Sequence, residues 1–173
     1  MIIMLVRKIV YMINIRPIGQ HEVPIAKELI YRVAHRVFGD TGPLEESIAY
    51  YDSKGTLSDM DDVQKTYFED YGIFLVITDD DQIIGTGAIR RIDNEICELK
   101  RLWLLFDYHG QGLGYRMIQE LCTFAREKGY QRIRLETNRE VQSHAFELYK
   151  RLDFYEIPPY SDNEDDVAME RVL

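Results

Sequence analysis

The sequence predicts an α/β domain in which antiparallel strands are flanked by helices. Three observations carry this. The chain opens with a strand followed by a helix over residues 13–38, three strand signals then follow one another over residues 73–106 with no helix between them, and a glycine-rich loop joins the last of these strands to an amphipathic helix.

Residues 13–18 alternate and break at Pro17 and Gly19, as a short strand ending in a turn does. From residue 23 to 38, Ile25, Leu29, Ile30, Val33 and Val37 recur at helical spacing and close on Gly39. Residues 40–55 contain Gly42, Pro43 and Gly55 and read as a loop with one helical turn at 44–51. Ser58 and Asp61 resemble a capping box ahead of Val63, Tyr67 and Phe68, so a second helix is expected to run to Asp70. Strands at 73–78, 83–92 and 96–106 are separated only by the turns Asp79-Asp80-Asp81 and Asp93-Asn94. Connections this short cannot cross over, so the strands are antiparallel neighbours. Leu113, Met117, Ile118, Leu121, Phe124 and Ala125 then share one helical face, with Lys128 and Gly129 supplying a C-terminal cation and a left-handed cap. A strand at 133–137, a helix marked by Ala145, Phe146, Leu148, Tyr149 and Leu152, and strands at 154–157 and 167–172 around an acidic turn complete the chain.

With 173 residues, 46% of them hydrophobic, the chain has material for one core, which places a single domain over residues 12–173. Residues 1–11 are read as an extension: an extra strand, or the result of a start assigned upstream of Met12. Arg7 and Lys8 interrupt this apolar stretch, a helical span needs roughly 20 apolar residues, and no signal-peptide cleavage pattern follows, so no membrane partner is expected. Cys97 and Cys122 are too few for a disulfide framework and read as reduced core thiols of a cytoplasmic protein. A net charge of −9 argues against a nucleic-acid surface and is compatible with an amine substrate, as it is with a merely solvated acidic surface. His21, His35 and His144 show no ligand spacing with Asp, Glu or Cys, so no metal is expected.

The chemistry is concentrated in His109-Gly110-Gln111-Gly112-Leu113-Gly114. Glycines there permit unusual dihedrals and let an anion approach the backbone, and a helix start offers unpaired N–H groups with a positive dipole end. A dinucleotide-binding loop also follows a strand, but it needs G-x-G-x-x-G at the start of a βαβ unit, whereas this loop is G-x-G-x-G at the end of a meander.

The run from Leu102 through Gly114 resembles motif A of the GCN5-related N-acetyltransferase (GNAT) superfamily, Q/R-x-x-G-x-G/A, and the run from Ala145 through Phe154 resembles its motif B, A-x-x-L-Y-x-K-x-G-F. The order of elements resembles the family over nearly the whole chain. The resemblance implies a mixed, mainly antiparallel sheet of six or seven strands with about four helices, and an acetyl-CoA-dependent N-acetyltransferase acting on a primary amine of a small molecule or peptide. A CoA-binding sensor without activity is the alternative, and a homodimer is left open. Carried over by position, the backbone of Leu102, Trp103 and Leu104 pairs with the pantetheine arm. His109, Gly110, Gln111, Gly112, Leu113 and Gly114 wrap the pyrophosphate, with Gln142 ahead of motif B also on the cofactor side. Tyr149 matches the tyrosine that protonates the departing thiolate; its other reading is a core aromatic. Glu98 falls where some members place a catalytic base; its other reading is an ion pair with Arg90 or Arg91 across the turn. Backbone N–H near Leu104 would stabilise the oxyanion.

The chain departs from the family at four positions: His109 stands for Arg or Gln, Asp153 for Gly, Phe106 for Pro and Gln142 for Asn. Asp visits the left-handed region more readily than most residues. His109 gives up a permanent charge, so weaker or pH-sensitive CoA binding is expected. Strict alternation would put Glu98, Lys100, Leu102 and Leu104 on one face of their strand, and Cys97, Leu99, Arg101 and Trp103 on the other.

Overall fold

The computed structural model describes residues 12–163 and 165–173; the reading of residues 1–11 as an extension or extra strand lies outside these. In chain order the elements are β1 (Ile13–Pro17), α1 (Val23–Val37), α2 (Leu44–Ser53), α3 (Val63–Thr66), β2 (Ile73–Asp79), β3 (Gln82–Arg91), β4 (Ile96–Leu104), α4 (Leu113–Glu127), β5 (Arg132–Thr137), α5 (Ser143–Arg151), β6 (Tyr155–Ile157) and β7 (Val167–Val172). The strands form one sheet in the order β1-β2-β3-β4-β5-β7-β6, antiparallel except for the β4–β5 pair.

The sheet is covered on both faces, which is why its central strands are apolar on both sides. Along β2, Leu75 and Ile77 join the cluster under α4 and α5, while Phe74 and Val76 join the cluster under α1. Helix α4 contributes Met117, Ile118 and Leu121 to the first cluster, and α1 contributes Ala26, Leu29 and Ile30 to the second. Burying each large aliphatic side chain contributes about 1.5–3 kcal/mol relative to leaving it in water, so these two helices dock mainly through their apolar stripes. Both cysteines are free and buried in the first cluster.

Two segments differ from the sequence reading. Residues 44–53 form a full α-helix, although none of its residues is buried. Only Ile48 and Tyr51 lean on the α1 cluster, so the apolar periodicity is too short to announce a helix. The Ser58–Asp61 pattern does not cap a helix. Ser58 opens a 3-10 turn, and the carboxylate of Asp62 instead accepts the Lys65 N–H at 3.0 Å to start α3, which lasts one turn.

The alternation along β4 is also corrected. Cys97 and Leu99 face the α4 cluster, but so do Leu102 and Leu104, and Trp103 packs on the α1 side. The reason is a bulge: Lys100 opposes Ala88 and Trp103 opposes Thr86, which leaves Arg101 and Leu102 against Gly87 alone, and Arg101 takes φ 56°. Gly87 is required there, because a Cβ at that position would lie 2.8 Å from Met117 Cγ on α4.

Candidate active site

Strands β4 and β5 pair only between Ile96–Glu98 and Arg132–Arg134, yet β4 continues to Leu104 and β5 to Thr137. Beyond Glu98 the β4 edge facing β5 therefore has no strand partner, and a cleft of about 530 Å³ opens there, lined among others by Glu98, Lys100, Leu102, Trp103, Gln142 and Tyr149. The bulge that shapes this edge is fixed from two sides. Thr86 Oγ1 donates to the Arg101 carbonyl at 2.6 Å, and the Arg101 guanidinium donates to both carboxylate oxygens of Asp59 at 3.0 and 2.5 Å and to the Thr56 carbonyl at 2.9 Å. Asp59 also accepts from the Tyr67 hydroxyl. Desolvation opposes ionisation of Asp59, but the Arg101 hydrogen bonds overcome it and hold the carboxyl below its ordinary value.

Glu98 has both oxygens engaged. Its register partner Arg90 donates to Oε2 at 2.7 Å, and the hydroxyl of Tyr160, from the β6–β7 connection, donates to Oε1 at 3.2 Å. The ion pair expected across the turn is thus formed with Arg90, whereas Arg91 pairs with Asp70 at 2.8 Å. Tyr160 had no signal in the sequence, because it is brought to Glu98 from 62 residues away by the terminal hairpin.

Tyr149 is a core aromatic that also borders the cleft: it packs edge-on to Phe154 at 5.7 Å and lines the cleft wall. Its hydroxyl makes no hydrogen bond among the described residues, and burial holds its pKa well above the ordinary phenol value, so it stays protonated near neutral pH. Gln142 caps the end of β5; its Oε1 accepts from Thr137 Oγ1 at 3.1 Å and from the Asn138 N–H at 3.0 Å.

Leu104 and the loop His109 to Gly114 lie outside the lining of this cleft, at the end of β4. Gly110 and Gly112 adopt φ 75° and 77°, with no atom within 4 Å of where a Cβ would stand, so the approach to the backbone is open. Gly112 precedes α4, whose first-turn N–H groups have no intrahelical acceptor. The His109 ring packs tilted on Phe106 at 4.9 Å, and its Nε2 lies 3.0 Å from the Leu104 carbonyl, bracing the loop against the strand end. Asp153 takes φ 64° after α5, the left-handed conformation for which the family uses Gly.

A parted sheet edge followed by a glycine loop at a helix start defines the class of acyl-CoA-dependent acyltransferases, and the residues present fit such a donor: a free strand edge for an amide-bearing arm and an open loop of N–H groups for its phosphates. The model of the Acetyltransferase (GNAT) family matches residues 25–154, and the chain belongs to that family, whose acyl donor is acetyl-CoA. It is 30% identical to human N-acetyltransferase 8B over 103 residues, 56% of this chain and 45% of that protein. It is 28% identical to the Escherichia coli K12 N-acetyltransferase YjgM over 101 residues, 57% of this chain and 60% of that protein. The chain spans about half the length of the curated relatives it matches. Among solved structures, a GNAT-family acetyltransferase of Staphylococcus aureus Mu50 superposes with a TM-score of 0.78 at 21% identity, covering 94% of this chain and 99% of the other. The PaiA N-acetyltransferase of Thermoplasma acidophilum, in complex with coenzyme A, superposes with 0.75 at 22% identity and the same coverage.

Among the described residues no group of His, Cys, Asp and Glu could hold a metal ion, and no helix is long and apolar enough to cross a membrane.

Proposed function

We propose that this chain transfers an acetyl group from acetyl-CoA directly to a primary amine of a small molecule or peptide. The observation that carries the reading is the cleft at the β4–β5 parting, into which a buried, protonated Tyr149 and the fixed carboxylate of Glu98 both face. The names of the relatives, all N-acetyltransferases, support an amine acceptor, and the coenzyme A complex of the PaiA protein supports a CoA donor.

Acetyl-CoA supplies an activated acetyl group; the chain supplies placement and proton management. The unpaired edge of β4 at Leu102, Trp103 and Leu104 holds the pantetheine arm. The backbone of His109 to Gly114 and the first turn of α4 hold the pyrophosphate, and Gln142 retains its amide N–H groups for the same ligand. An ammonium is not a nucleophile, so a proton must leave the amine. Glu98 takes that proton, directly or through water, while Tyr149 gives one to the departing thiolate. Backbone N–H near Leu104 stabilises the oxyanion. Two buried, unbridged thiols accord with a reducing cytoplasmic setting.

The test is thiol release from acetyl-CoA in the presence of a panel of amines, with CoA affinity measured in parallel. Amine-dependent release supports transfer. Tight CoA binding without turnover on any amine would instead make the chain a CoA-binding sensor.

A further inference from the structure

The cleft continues into a second one of about 350 Å³ on the side of Arg90, Arg91 and Tyr160, and three charged residues line both: Glu98, Lys100 and Glu136. Most charges around this double cleft are matched. Arg90 is 2.7 Å from Glu98, Arg91 is 2.8 Å from Asp70, and the second oxygen of Glu98 is taken by Tyr160.

Two charges of opposite sign make no hydrogen bond among the described residues, whereas Asp40 and Asp166, which also line the first cleft, accept from Ser47 and Asn163. The Lys100 ammonium has three N–H donors but makes no hydrogen bond among the described residues; its carboxylate neighbour is Glu98 Oε2 at 3.8 Å, an oxygen already taken by Arg90. Its side chain is 25% exposed, and desolvation lowers its pKa, as expected of an ammonium short of partners. Glu136, on the neighbouring strand, has neither an ion pair nor a hydrogen bond among the described residues. A half-buried charge without a close partner is unfavourable until a ligand provides one. A diamine or polyamine would satisfy Glu136 but bring a second cation towards Lys100. A plain alkylamine would leave Lys100 unmet.

Resting on the reading of this cleft as the acetyl-transfer site, we propose that the acceptor carries a carboxylate close to its amine, as a free amino acid does, with Lys100 binding the carboxylate and Glu136 the ammonium. The acceptor class is therefore zwitterionic.

The test uses matched ligands: a set of amino acids spanning side-chain sizes, their primary amides, and 1,4-diaminobutane. Calorimetric binding in the presence of CoA and acetyl transfer are measured for wild type, Lys100→Met and Lys100→Arg. A charge-assisted hydrogen bond should favour the best acid over its amide on the order of tenfold. That ratio should fall towards one in Lys100→Met and be largely restored in Lys100→Arg. Equal or better use of the amide or the diamine, a ratio unchanged in Lys100→Met, or no binding of any acid would overturn the proposal. If no amine is acetylated but the Lys100-dependent preference for acids persists in binding, the transfer reading fails and the recognition of a zwitterion stands.

Discussion

Tyr149 sits on the boundary between core and cleft, and the two parts of its side chain can be separated by experiment. Its ring packs on Phe154 while its hydroxyl makes no hydrogen bond among the described residues. Tyr149→Phe should therefore change stability by less than about 0.5 kcal/mol while lowering kcat on the order of a hundredfold, the scale of a lost general acid. Thermal unfolding and steady-state kinetics on the same sample check both halves, and a retained kcat would return the residue to the core alone. For Glu98 the discriminating change is Glu98→Gln, which keeps the size of the side chain next to Arg90. Loss of the acidic limb of the pH–rate profile is expected; an intact limb with unaltered kcat would leave Glu98 only as Arg90's partner. Both residues were legible in the sequence with their competing roles, because a helical face and a short turn are local. The engagement of Glu98 by Tyr160 was not, since it depends on how the terminal hairpin folds back.

At the scale of elements, the β4 bulge is the feature that alternation could not reveal. No glycine stands within β4 to mark it: Arg101 itself takes the left-handed conformation, and its side chain and carbonyl are held by Asp59 and Thr86. Asp59→Asn should cost about 3 kcal/mol, because it leaves the largely buried guanidinium of Arg101 without its charge partner. Denaturant unfolding reads this, and a loss under about 1 kcal/mol would show that the clamp is dispensable. The join between β1 and α1 offers a test by pH. Hydrogen bonds from Arg16 at 2.7 and 2.8 Å outweigh desolvation and lower the Glu22 carboxyl from 4.5 to about 2. A depressed folded-state pKa contributes stability that is complete above the ordinary value of 4.5 and is lost as pH falls towards 2. The melting temperatures of wild type and Glu22→Gln should accordingly differ at neutral pH and converge as pH falls through that window. A constant gap would contradict the assignment.

For the whole molecule, the order of strands and helices was legible because each apolar face must find a partner and the short turns after β2 and β3 allow only antiparallel pairing. The glycine loop was legible for the same local reason. The parting of β4 from β5 was not, because it arises where a bulge, a parallel pairing of only three residues and the cap provided by Gln142 meet. On the proposed function, that parting makes the glycine loop one end of an acyl-CoA groove and not merely an anion site. A crystal structure with coenzyme A bound tests this most directly. The pantetheine arm is expected against the free edge of β4 at Leu102 to Leu104, the pyrophosphate on the N–H groups of His109 to Gly114, and the thiol within hydrogen-bonding reach of the Tyr149 hydroxyl. Coenzyme A seated away from the β4–β5 parting, or a thiol remote from Tyr149, would contradict that groove.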